Sequence, residues 1–142
     1  MKKLSQRFNK VIVTGGGGFI GNNFIRNIIN RENIKIFNID KVNYCSDKNS
    51  LKEFSSKHSE NYKFFQIDLF DFSKTKNVIE EICPDLIIHF AAESHVDRSI
   101  DSPRDFLNSN IIGTFNLLEA TRLFWKNLNI KKKSLFRFLH VS

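Results

Sequence analysis

The sequence predicts a single α/β domain in which a parallel sheet carries helices on both faces. Three observations carry that expectation. Short runs of β-branched and aromatic residues alternate with longer stretches whose apolar positions recur every three or four residues. No internal repeat or low-complexity linker interrupts the alternation. A chain of 142 residues with 41% hydrophobic content suits one core.

Val11, Ile12 and Val13 form the first apolar run, a buried strand at 11–13 that stops at four consecutive glycines. Beyond them Ile20, Phe24, Ile25, Ile28 and Ile29 fall at helical spacing, which predicts an amphipathic helix over 20–29. Residues 34–40 read as a second strand ending on Asp40. A polar loop at 41–49 leads into a modest helix at 50–57 and a third strand at 62–67. The helix predicted over 73–82 stops near Pro84, which cannot continue it, and a fourth strand follows at 86–90. Pro103 suits the first turn of a long helix reaching about residue 128. Lys131, Lys132 and Lys133 then read as a solvated turn before a fifth strand at 134–141.

The net charge is +7, but the lysines are scattered among acids, so no nucleic-acid surface is expected. No run approaches the ~20 apolar residues of a membrane span, and the N-terminus lacks a signal-peptide core. The protein reads as cytoplasmic. Cys45 and Cys83 lie far apart with no Cys-x-x-Cys or Cys/His cluster around them. They are expected to be free thiols, with no disulfide and no metal site.

The glycines satisfy two motif registers at once, Gly16-x-Gly18-x-x-Gly21 and Gly15-x-x-Gly18-x-x-Gly21. Between a strand and a helix, either one lets the backbone approach a pyrophosphate at a helix N-terminus. A Walker phosphate loop needs Gly-Lys-Ser/Thr, whereas Asn22 and Asn23 follow Gly21. Asp40 stands nineteen residues after Gly21. An acid at that spacing meets the adenosine ribose hydroxyls and repels a 2′-phosphate, which favours NAD over NADP. Asp40 could equally cap a strand-end turn. Asp68 has the same two readings, an adenine contact or a strand terminator. The whole pattern is that of a Rossmann-type doubly wound sheet, cut after about five strands.

Leu86 to Arg122, "LIIHFAAESHVDRSIDSPRDFLNSNIIGTFNLLEATR", together with "VTGGGGFIG", resembles the extended short-chain dehydrogenase/reductases of the NAD-dependent epimerase/dehydratase group, and within them the dTDP-glucose 4,6-dehydratase family. The match covers nearly the whole chain as the N-terminal part of such an enzyme, and "AAESHVDRSI" is its most specific segment. The resemblance implies that Gly15, Gly18, Phe19, Ile20 and Gly21 meet the pyrophosphate. It places Asp40, Lys41, Val42 and Asn43 around the adenosine ribose, although Val42 and Asn43 depart from the family's usual pair. Asp68 and Leu69 fall on the adenine side. Phe90, Ala91, Ala92, Glu93 and Ser94 form the loop under the cofactor, with Ser94 also facing the sugar. Ser109 keeps a hydroxyl where the family usually has threonine.

Plainer roles stand beside these. Ala91 and Ala92 suit a crowded strand end, Ser94 a turn cap, and His95 and Asp97 a loop brace. His89, inside an apolar strand, reads as a satisfied core residue. Asn110 is either a hydrogen-bonding residue or a polar position on an apolar helix.

The family implies an NAD-dependent lyase that converts dTDP-glucose to dTDP-4-keto-6-deoxyglucose for deoxysugar or polysaccharide precursors. Its alternatives are a related nucleotide-sugar epimerase or decarboxylase, or a fragment that binds NAD without turnover. The family's Thr-Asp-Glu segment would begin one residue past Ser142, and no tyrosine heads its Tyr-x-x-x-Lys helix. Lys48 follows Tyr44 at that spacing but lies in the expected loop, and Gln66 follows Tyr62. Residues 1–142 therefore read as an NAD-binding domain without catalytic residues of its own, expected to be inactive alone. The family dimerises through the long helix, which alone would expose an apolar stripe.

Overall fold

The five apolar runs form one parallel sheet in the computed structural model, which describes residues 3–31, 33–94 and 102–141. Its strands are β1 (Lys10–Thr14), β2 (Lys35–Asp40), β3 (Tyr62–Gln66), β4 (Leu86–His89) and β5 (Arg137–His140), in the order β3-β2-β1-β4-β5. Every pairing is parallel, so all five carboxyl ends lie along one side of the sheet. β1 is central, with Ile12 opposite Phe37 of β2 and Ile87 of β4.

Parallel strands need crossovers, and helices supply them. α1 (Phe19–Ile29), α2 (Lys48–Lys57) and α3 (Phe72–Ile82) join successive strands from β1 to β4. Between β4 and β5 lies a long helix, α4, in three consecutive parts. Pro103–Phe106 is α-helical, Leu107–Gly113 is π-helical, and Thr114–Lys126 is α-helical again. A short helix, α5 (Ile130–Leu135), precedes β5.

Side-chain alternation along the strands builds two cores. Val11 and Val13 pack with Ile25 and Ile28 of α1 and Phe54 of α2. Ile12 and Ile87, facing the other way, pack with Ile79 of α3 and with Leu117 and Phe124 of α4. Helices thus cover both faces, as the strand-helix alternation predicts.

The ends of the elements differ from expectation where a cap decides them. α2 begins at Lys48 because the Asp47 carboxylate accepts the Asn49 and Ser50 N–H groups, so Lys48 is helical rather than in a loop. The three lysines at 131–133 lie inside α5, not in a turn, and Ser134 and Leu135 belong to that helix. Asn129 caps it by accepting the Lys132 N–H, and β5 shrinks accordingly to Arg137–His140. α5 buries no residue, which is why no apolar periodicity announces it. α4 contains a π-helical stretch where one continuous helix is expected, and it ends at Lys126. His95 and Asp97, with the rest of 95–101, lie outside the described residues, as does Ser142.

Candidate functional site

The chain leaves β1 at Thr14 and must turn within four residues to start α1. Gly15 makes that turn at φ +73°, and its N–H donates to the Ile39 carbonyl (2.9 Å). A Cβ there would lie 2.5 Å from the Ala91 nitrogen, so any side chain would force the turn and the loop after β4 apart. Gly21 packs its α-carbon against the Gly15 carbonyl and leaves no room for a side chain either. Gly18 differs, since beyond the Gly15 oxygen 3.4 Å away its side faces open space.

Two residues of β2 brace the turn. The Gly16 N–H donates to Asn38 Oδ1 (3.1 Å), and Asn38 Nδ2 donates to the Tyr62 hydroxyl (2.9 Å). The Gly17 N–H donates to Asp40 Oδ2 (2.9 Å). Asp40 Oδ1 accepts the Val42 N–H (2.7 Å) and the Ser46 hydroxyl (3.1 Å). These bonds use three of the roughly four acceptor positions of a carboxylate. Asp40 therefore does cap the strand-end turn, and it keeps acceptor capacity on Oδ2.

α1 starts behind Gly18 with no side-chain cap. α2 and α3 are capped by Asp47 and Asp71. The Ser50 hydroxyl holds the Asp47 carboxyl below the usual carboxylate range, and the Lys74 N–H does the same for Asp71. α1 instead leaves its first amides and the positive end of its dipole to whatever occupies the space before it. That space is a cleft of about 750 Å³ over the carboxyl ends of the strands.

Every site residue named from the sequence lines this cleft except Val42. Gly15, Gly18, Phe19, Ile20 and Gly21 form its floor. Asp40, Lys41, Asn43, Asp68 and Leu69 line the side toward β2 and β3, and Phe90, Ala91, Ala92, Glu93 and Ser94 the side toward β4. Ser109 enters from the π-helical part of α4. Val42 sits at φ 58°, gives only its N–H to the site through Asp40, and lines a separate groove with Leu51 and Phe64. β3 stops at Gln66, so Asp68 does not terminate it; Asp68 Oδ1 accepts the Phe70 N–H (2.9 Å) in the turn that follows, and the residue lines the cleft.

A polar cluster connects the two sides. Lys41 Nζ lies 2.8 Å from Glu93 Oε1 and donates to Ser109 Oγ (2.7 Å), while Asn43 Nδ2 donates to the same Glu93 oxygen (2.9 Å). Asn110 accepts the Glu93 N–H (2.8 Å) and donates to the Glu93 carbonyl (2.9 Å), which makes it a hydrogen-bonding residue rather than an idle polar position.

Ile39, Tyr44, Cys45, Ser46, Ile67 and Val141 also line the cleft without having been assigned to the site from the sequence. Ile39, Ile67 and Val141 sit at strand carboxyl ends, where an open α/β sheet places its ligands, so the topology alone could have found them. Tyr44 to Ser46 carry no local signal. Asn38 did carry one, an amide between the apolar Phe37 and Ile39 of a strand.

His89 is buried, and both ring nitrogens are partnered, Nδ1 with Thr14 Oγ1 (2.6 Å) and Nε2 with Thr114 Oγ1 (3.0 Å). Burial, with His140 adding to it, pushes its pKa down to about 4. It is a satisfied core residue. Both cysteines are exposed and free. Among the described residues no His, Cys, Asp or Glu group could hold a metal ion, and no helix is long and apolar enough to cross a membrane.

A glycine turn between the central strand and an uncapped helix, where the sheet order reverses, defines a Rossmann-type α/β protein. The chain belongs to the GDP-mannose 4,6 dehydratase family, whose profile matches residues 12–142. Its curated relatives include the dTDP-glucose 4,6-dehydratase of Shigella flexneri, 45% identical over 94% of this chain. The chain spans 36% of that relative's length. Among solved structures, dTDP-glucose 4,6-dehydratase from Bacillus anthracis in complex with NAD aligns with a TM-score of 0.73 at 30% identity, over 94% of this chain and 37% of its own. The UDP-Glc/GlcNAc 4-epimerase of Campylobacter jejuni aligns with a TM-score of 0.76 at 26% identity, over 93% of this chain and 36% of its own.

Proposed function

We propose that this chain is the NAD-binding portion of a nucleotide-sugar dehydratase that acts on dTDP-glucose. The observation that carries the reading is the uncapped N-terminus of α1 behind a glycine turn, with the Asp40 carboxylate bonded to the Gly17 N–H beside it. Gly18 leaves open space where a pyrophosphate would approach, and the first amides of α1 would bind it. Asp40, Lys41 and Asn43, with Val42 through its main chain, would surround the ribose, and Asp68 and Leu69 the adenine. Phe90 to Ser94 and Ser109 would hold the remainder, with Ser94 also facing the sugar. When bound, NAD supplies a hydride acceptor and donor.

The chain's own residues bind and orient. The Tyr62 hydroxyl is pushed up to about 12 by burial and is bonded to Asn38, so it keeps its proton and stays out of the chemistry. Tyr44 lines the cleft, but Lys48 lines the separate groove beside α2. Among the described residues no tyrosine shares the cleft with a lysine four positions on, so residues 1–142 alone are expected to bind NAD without turnover. The reading extends to a cytoplasmic enzyme that dimerises through α4.

Calorimetry with NAD tests the binding. NAD is expected to bind, NADP at least ~10-fold more weakly, and Asp40→Ala to lose most of the NAD affinity. Unchanged affinity in Asp40→Ala would remove its assigned role. An epimerase reading is favoured by the likeness to the Campylobacter enzyme. The product formed from dTDP-glucose by the chain together with the remaining two thirds of such an enzyme separates the two, a 4-keto-6-deoxy sugar for the dehydratase and a 4-epimer for the epimerase.

A further inference from the structure

We propose that Lys41, Asn43 and Glu93 form a strap that closes over the bound dinucleotide and sets how slowly it leaves; the inference rests on the NAD reading above. β2 and β4 are the two neighbours of β1, so their carboxyl ends stand roughly 10 Å apart, at about 4.8 Å per strand, with the glycine turn between them. Lys41 and Asn43 follow β2, and Glu93 follows β4. A bond from Lys41 or Asn43 to Glu93 must therefore span the turn.

The strap is anchored at both ends. Asn110 holds the Glu93 main chain through its N–H and its carbonyl, which fixes where the carboxylate stands. Ser109, the preceding residue of the π-helical segment, accepts a bond from Lys41 Nζ. The Glu93 side chain is 13% exposed and that of Lys41 31%, so the pair is screened less than an open surface pair. Hydrogen bonds between ionised groups are also roughly twice as strong as neutral ones. A dinucleotide lying against the α1 amides lies on the glycine side of this bridge and leaves only when the bridge opens. The bridge is formed in the chain itself, so it must open both for arrival and for release, and it slows both rates.

Stopped-flow displacement of NADH from the 142-residue chain, followed by its fluorescence, tests this in the unaltered chain, Lys41→Met, Glu93→Gln and the double variant. Each single variant is expected to release NADH about tenfold faster and to bind it faster as well, and the double variant to be no faster than the singles in either direction. Unchanged release, additive acceleration, or association slowed rather than speeded would overturn the strap. Amide hydrogen exchange without ligand gives an independent readout. Lys41→Met is expected to speed exchange in residues 41–46, and a side chain that only touched ligand would leave that exchange unchanged, which also overturns the strap. Failure of the unaltered chain to bind NADH would instead overturn the NAD reading and the strap's function with it, whatever the exchange shows.

Discussion

Asn38 has no exposed surface, yet its amide is bonded on both sides, to the Gly16 N–H and to the Tyr62 hydroxyl. Replacing it with leucine keeps the bulk and orphans both partners. An unsatisfied buried polar group costs about 1–3 kcal/mol, so Asn38→Leu is expected to lose roughly 2–4 kcal/mol in urea denaturation, with the slope unchanged. His89 supplies the pH dependence. Its pKa is about 4 when folded against an ordinary value of 6.5, so between these the unfolded chain binds more protons. Its contribution is intact above pH 6.5, is lost as pH falls toward 4, and amounts to about 3 kcal/mol. Subtracting the urea stability of His89→Gln at each pH is expected to isolate that slope, and parallel curves would refute it.

At the scale of elements, α4 faces outward with Leu107, Ile111, Phe115 and Leu118 all about half exposed or more. This is the apolar stripe expected of a long helix standing alone. Sedimentation is expected to find self-association at micromolar concentration, and Ile111→Lys with Phe115→Lys to shift the chain to monomer. The helices that could be read in the sequence are those that bury a face. α1 and α3 each bury a stripe of isoleucine or valine, and their spacing announces them. α5 buries nothing and shows itself only through the Asn129 cap. The π-helical stretch was not legible, because LNSNIIG suits an α-helix equally well and only contacts distant in sequence distinguish the two. The site divides the same way. The glycines and Asp40 follow from local spacing, whereas the bond between Lys41 and Glu93 depends on two loops that meet only when β1 lies between them.

For the whole molecule, NAD that binds only the folded chain adds about 2.7 kcal/mol at one hundred times its dissociation constant. For a domain of this length the midpoint of thermal unfolding is expected to rise by roughly 5–10 °C, and Gly18→Val, which fills the open side of the turn, to cancel the rise. The sheet order carries a further consequence, in time rather than space. β1 pairs with β2 across a short stretch of chain, Val11 beside Ile36, but with β4 only across a long one, Val11 beside Leu86. Closing the longer loop costs more entropy, so the β1-α1-β2 unit, with the Asn38 and Asp40 braces inside it, can assemble on a growing chain before β4 has been made. The glycine turn is then set early, and the opposite wall of the cleft arrives onto a surface already in place.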